Sequence, residues 1–310
     1  MAGTVSNAAP DLAALMRLRD LELRARRVVE GFWHGLHRSR LHGASVEFSE
    51  YRAYTKGDDP RHIDWKLMAR TDRVFIRKYE AETQLRCHLV VDASPSMRFG
   101  SGAYSKAEYA RTLAATLAHF LFRQGDAAGL VTFDSRIVEY LPARRRPGHL
   151  RLLMHALEKW GPGGQTDLAA PLRRVAEVAC GGGMVVLVSD LLAPLETWEG
   201  ALALLAAAGQ EVVIFQVLDR AEKVFEFGAP ARFQDLETGK ELVIDPEQAR
   251  AGYLERFERH LGAVREMCRR LGVQQEVVIT DQPLEEALER FLQTRRRMSR
   301  GMVRNRGGAG

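Results

Sequence analysis

The chain has 310 residues, 46% of them apolar, and a formal net charge of +5; that length suits one sizeable core, or a core domain with a smaller companion. Much of the basic excess lies in the closing stretch RRRMSRGMVRNRGGAG, which holds no acid, so overall basicity argues only weakly for nucleic-acid binding. Cys87, Cys180 and Cys268 are scattered and form no CxxC pair, which argues against a disulfide framework or a structural zinc site.

The first residues, MAGTVSNAAPDLAALMRLRD, lack the basic-then-apolar pattern of a secretory signal. The most apolar stretches, GGGMVVLVSDLLAPL and ALALLAAAG, are too short to span a membrane, and the first contains Asp190. A cytoplasmic protein is expected.

Residues 1–84 form a small helical and β block. Asp11 to Val29 reads as one helix capped by Asp11. GFWHGLHRSRLHGASVEFSEYRAY has no long helical period and suggests short strands or extended loops. YTKGDDPRHIDWKLMAR, residues 54–70, gathers aspartates, a histidine, arginines and a tryptophan. These residue types invite a catalytic or metal reading, yet none of the pairs has the spacing of a zinc motif such as HExxH. Gly57-Asp58-Asp59-Pro60 has turn chemistry, with Pro60 suited to the first position of a short helix. The segment is therefore expected to be structural. Arg52, Asp58, Arg61, Asp64 and Arg70 would brace the block against the rest of the chain, with Trp65 packed inward.

From residue 85 strands and helices alternate. LRCHLVV runs into Asp92, SKAEYARTLAATLAHFLFRQ is a long helix, and AAGLVTF and RIVEYLP are strands joined through Asp134-Ser135. Helices over RPGHLRLLMHALEKW and DLAAPLRRVAEVAC flank a GPGGQT loop, and MVVLVS runs into Asp190. A helix around WEGALALLAAAG leads to the strand EVVIFQVL, and ARFQDLETGKELVID reads as a hairpin turning at Thr238-Gly239. A helix from Pro246 to Leu271, the strand VQQEVVITD and the helix PLEEALERFLQTR complete the domain. Strands apolar on both faces and alternating with helices predict an α/β fold: a doubly wound, mostly parallel, Rossmann-type sheet over 85–297. Residues 298–310 read as a disordered basic tail.

In such sheets function gathers at the carboxyl ends of the strands. There LVVDASPSM presents Asp92, Ser94 and Ser96, GGQTD adds Thr166, and LVSD adds Asp190. Oxygen-only ligands with few carboxylates suit a hard divalent ion, Mg²⁺ first, with Mn²⁺ or Ca²⁺ as alternatives. Each residue alone also has a plain reading as a cap or turn residue; the joint arrangement carries the metal reading.

D-x-S-x-S, a later threonine loop and an aspartate after a hydrophobic strand resemble the metal-ion-dependent adhesion site of von Willebrand factor A domains. Asp92, Ser94, Ser96, Thr166 and Asp190 stand in its five positions. Together with EFSEYRAYTKGDDPRHIDWKLMAR and FIRKYEAE upstream, the sequence resembles the family called domain of unknown function 58. That resemblance implies an A-type domain and a MoxR-type AAA+ ATPase as partner. It also implies a role as adaptor in assembly or chaperone-like remodelling, with a partner Asp or Glu completing the metal shell. Many members carry N-terminal membrane helices; this sequence resembles the shorter, soluble kind.

Enzyme signatures are missing: no GxxxxGK[ST], no GxSxG, and a serine, Ser94, where a haloacid-dehalogenase phosphatase would carry its second acid. A non-enzymatic binding module is expected. The alternatives are a metal-dependent hydrolase using the same acids, and a weak nucleic-acid binder using Arg144-Arg145-Arg146 and the tail.

Overall fold

The computed structural model describes residues 12–39, 51–53, 68, 75–77, 85–159, 167–179, 182–227, 231–236 and 239–293. The C-terminal tail lies outside them.

The chain opens with α1, Leu12–Met16, and α2, Leu21–Ser39. The single helix read from the sequence is broken at residues 17–20, for a hydrogen-bonding reason. Asp20 accepts the Leu23 N–H at 2.9 Å, a capping contact that starts a second helix. Arg24, buried, turns back on the loop, its Nε donating to the Leu18 carbonyl at 3.2 Å and its Nη1 to Thr112 Oγ1 at 2.9 Å. Local polar satisfaction outweighs the helical period.

The chain divides into two units. One is Trp33–Gln84, whose described strands β1, Tyr51–Ala53, and β2, Phe75–Arg77, pair antiparallel, Arg52 opposite Ile76. The other takes the chain up to Phe32 and again from Leu85.

The second unit is built on β3 (Arg86–Asp92), β4 (Ala127–Phe133), β5 (Ile137–Arg144), β6 (Gly183–Ser189), β7 (Gln210–Leu218) and β10 (Gln274–Ile279). A separate antiparallel hairpin pairs β8, Ala231–Gln234, with β9, Glu241–Ile244. The main sheet runs in the order β10-β7-β6-β3-β4-β5. Every neighbouring pair is parallel except β4 with β5. This is the doubly wound, mostly parallel sheet expected from the sequence, with one antiparallel edge strand.

The helices are α3 (Lys106–Gln124), α4 (His149–Glu158), α5 (Ala169–Val178), α6 (Leu195–Ala207), α7 (Arg220–Val224), α8 (Pro246–Leu271) and α9 (284–293). α3 crosses β3, β4, β6 and β7. It starts on a capping box, Ser105 with Glu108, and stops at Gly125 with φ 88°, a left-handed cap that favours glycine. Its Phe120 meets Phe32 and Phe291 edge-on at 6.5 and 6.4 Å. On the opposite face Val90, Val185, Leu187 and Ile214 form one cluster with Leu172, Trp198, Leu202 and Val264. Burial of both faces explains why the strands read as continuous apolar runs instead of alternating ones.

From β3 the chain winds outward through β4 and β5, then returns to lay β6, β7 and β10 on the other side. The reversal falls between β3 and β6, so their carboxyl ends flank the topological switch point, where this class of sheet opens a crevice.

Candidate functional site

Asp92 ends β3 at that switch point and is fully buried. Its Oδ1 accepts the Ser94 N–H at 2.9 Å, an Asx turn that swings the chain into the 3₁₀ turn Pro95–Arg98. Its Oδ2 accepts the Ser189 hydroxyl at 2.5 Å, from the last residue of β6. Ser94 and Ser96 bring their Oγ atoms to 3.0 Å of each other. Alternate positions after the strand thus place two hydroxyls together beside one carboxylate.

Asp190 follows Ser189 and is also buried. Leu191, next in the chain, is held at φ 54°, in the left-handed region that a branched side chain seldom enters. Three contacts fix this turn. The Leu191 N–H donates to Ser189 Oγ at 3.1 Å, His260 Nε2 lies 2.7 Å from the Leu191 carbonyl, and Gln216 Nε2 donates to the Asp190 carbonyl at 2.9 Å. The Asp190 side chain meets Lys106, whose Nζ lies 2.8 Å from Oδ2. The same ammonium is 2.5 Å from Glu222 Oε1 and lies 5.8 Å from the centre of the Phe99 ring.

A third strand-end carboxylate follows β7. Asp219 Oδ1 accepts the Ser101 hydroxyl at 2.5 Å and the Ala221 N–H at 2.8 Å. Its Oδ2 accepts the Ser101 N–H at 3.1 Å and the Thr280 hydroxyl at 3.2 Å. Glu222 completes a capping box by accepting the Asp219 N–H on Oε2 at 2.8 Å.

Burial is the largest influence on Asp92 and, with the charge of Asp190, pushes its carboxyl up to about 7 against the hydrogen bonds from Ser189 and Ser94. Burial works against the Lys106 ammonium, but Asp190 and Glu222 outweigh it and hold the lysine charged. Glu222 is raised by burial, with Lys106 opposing.

These donors fit a hard divalent ion. Asp92 is a buried carboxylate, held by two hydrogen bonds, beside a converging hydroxyl pair, and its burial together with the charge of Asp190 calls for positive charge at that point. Among the described residues no group of three His, Cys, Asp or Glu side chains is disposed to hold a metal. An ion here would rest on hydroxyl oxygens as much as on carboxylates.

Of the five residues proposed from sequence, Asp92, Ser94 and Ser96 lie in one hydrogen-bonded group. Asp190 stands at the neighbouring strand end with its carboxylate on Lys106, and Thr166 lies outside the described residues. So do Asp58, Arg61, Asp64, Trp65 and Arg70, while Arg52 sits in β1. Sequence reasoning missed Ser189, Lys106, Asp219 and Glu222. Ser189 was within reach of it, since it precedes Asp190 at a strand end.

A family model described as protein of unknown function DUF58 matches residues 50–263. The chain belongs to the DUF58 family. Over 293 residues it is 31% identical to the uncharacterized protein Rv1480 of Mycobacterium tuberculosis, covering 93% of this chain and 91% of that one. An uncharacterized protein of Mycobacterium bovis, Mb1516, matches to the same extent. Among solved structures, an aerotolerance-related membrane protein from Bacteroides fragilis is 16% identical to this DUF58 chain, with a TM-score of 0.45, covering 66% of it and 97% of the other. The SpRpn10 VWA domain is 13% identical with a TM-score of 0.37, covering 66% and 95% respectively. Among the described residues no helix of this DUF58 protein is long and apolar enough to cross a membrane.

Proposed function

We propose that this DUF58 protein is a metal-dependent protein-interaction module acting in the cytoplasm. The observation that carries the reading is the convergence of Asp92, Ser94 and Ser96 at the switch point of the sheet. These side chains and Asp190, with Thr166 by family resemblance, would hold Mg²⁺. When bound, the ion supplies positive charge to which an Asp or Glu of the partner attaches.

The residues do the positioning. Ser189 and the Ser94 amide fix the Asp92 carboxylate, and the strained Leu191 turn fixes the end of β6. Such prior ordering lowers the cost of binding. The partner that the family resemblance suggests is a MoxR-type AAA+ ATPase, with this chain as adaptor in assembly or chaperone-like remodelling. The hydrolase alternative needs a general base beside the carboxylates; His260 spends its Nε2 on the Leu191 carbonyl, and Asp190 faces an ammonium.

The test is capture of the partner by the purified chain with Mg²⁺ and with a chelator, beside an Asp92→Asn chain. Capture that needs both Mg²⁺ and Asp92 supports the reading. Equal capture under all conditions overturns it.

A further inference from the structure

Lys106 is the first residue of α3, and its ammonium is wholly buried. A lysine there faces the positive end of the helix dipole, so the helix itself gains nothing from its charge. A buried ammonium also pays a desolvation cost that close carboxylates must offset. Its backbone N–H is anchored on the Phe99 carbonyl at 2.9 Å, and its side chain spans from the end of β6, at Asp190, to the start of α7, at Glu222. The lysine is therefore tied to the charge of the strand-end site.

We propose that Lys106 is the resident counter-cation of that site, and that by compensating Asp190 and Glu222 it keeps a bound divalent ion able to accept a partner's carboxylate. This rests on the metal-ion reading of Asp92, Ser94 and Ser96. With a divalent ion in place of any proton on Asp92, the carboxylates of Asp92, Asp190 and Glu222 bring three negative charges, Lys106 one positive, and the ion balances the remaining two, while Asp219 is compensated by its own four hydrogen bonds. An incoming carboxylate then meets a site without net charge. Without the ammonium the same carboxylates hold the ion more tightly, yet the loaded site stays negative and repels an anion. Lys106 is thus a positioning residue that exchanges metal affinity for partner affinity, and its removal shifts the two in opposite directions.

The test uses the full chain, with Mn²⁺ as metal probe and acetate as carboxylate probe. Mn²⁺ affinity is read by electron paramagnetic resonance, and acetate uptake by the fall in water-proton relaxation as water leaves the ion. Lys106→Met is expected to bind Mn²⁺ at least about tenfold more tightly and to lose the acetate response. Glu222→Gln, which removes one negative charge and leaves the ammonium in place, is expected to bind Mn²⁺ severalfold more weakly and to keep the response. The double variant carries the wild-type net charge and is expected to return to within about threefold of wild type.

If Lys106→Met does not fold, Glu222→Gln and the double variant still decide. Wild-type Mn²⁺ affinity in Glu222→Gln overturns the proposal, as does an unchanged Lys106→Met. A wild-type chain that binds no Mn²⁺ overturns the metal reading, and the proposal with it.

Discussion

Ser189 Oγ lies 2.5 Å from Asp92 Oδ2, so the last residue of β6 holds the last residue of β3 across the switch point of the sheet. The other oxygen of Asp92 is held by the Ser94 amide. The carboxylate is locked in place while its charge is buried near a second carboxylate, Asp190. That geometry favours an incoming cation and penalises the site without one.

Asp92→Asn keeps the shape and removes the charge. The free variant is expected to be at least as stable as wild type in thermal unfolding. Wild type is expected to gain roughly 5 °C or more in Tm when Mg²⁺ exceeds its dissociation constant a hundredfold. Asp92→Asn should lose that gain. A variant with a full Mg²⁺ shift would remove Asp92 from the metal site.

Asp219 is expected to matter for stability. It accepts four hydrogen bonds, from Ser101 twice, Ala221 and Thr280, and so joins the ends of β7 and β10 to the loop before α3. Burial acts most strongly on its carboxyl and raises it, but the Ser101, Ala221 and Thr280 donors together hold it below the usual carboxylate range. Asp219→Ala strips a cap and leaves buried donors unpaired, at a cost of about 2–4 kcal/mol in urea unfolding. A loss under about 1 kcal/mol would show that water replaces the carboxylate without penalty.

The difference between Asp92 and Lys106 shows what a sequence displays. Asp92 and Asp190 end long apolar runs, and a carboxylate that closes a buried strand is visible in one dimension. The parallel sheet covered on two faces follows from the same runs, because strands buried on both faces leave no alternation, whereas the strand order does not. Lys106 was illegible for the converse reason. It sits in SKAEYA, where a charged residue at a helix start reads as solvated surface, and its partners are 84 and 116 residues away. The break between α1 and α2 was hidden likewise, since the grip of Arg24 on Leu18 interrupts no apolar period. Ser189 shares the visible strand-end position of Asp190, but the partner that gives its hydroxyl a role, Asp92, lies 97 residues away.

Acid should destabilise the protein through buried histidines. His88, on β3, and His149, at the start of α4, are almost inaccessible, and the Nδ1 of His88 is buried without a hydrogen-bond partner. Burial, followed for His88 by the charge of Arg86, lowers the pKa of both below 6.5. The unfolded chain therefore takes up protons that the folded chain refuses. Stability is complete above the unfolded value and falls as pH drops through it, by up to about 1.4 kcal/mol per pH unit for each histidine. Urea unfolding at pH 7.5 and 5.5 measures this, and His88→Gln should reduce the slope. A slope unchanged by His88→Gln would mean that His88 charges freely in the folded state.

The antiparallel edge of the sheet depends on Gly129. A Cβ there would lie 2.6 Å from the Ala143 nitrogen and 2.8 Å from the Leu141 oxygen, at the register shift between β4 and β5. Both neighbours are backbone, so relief requires the strands to part, and β4 is buried along its whole length. Gly129→Ala is therefore expected to cost about 2–3 kcal/mol, the range of an overpacked core. Gly200, inside α6, is the control, since a Cβ there meets nothing within 4 Å. Gly200→Ala should stabilise the chain by up to about 1 kcal/mol, the helix preference for alanine. Opposite signs in urea unfolding would show that close approach of two backbones sets the residue at 129, whereas a shared sign would leave β4 and β5 free to separate at little cost.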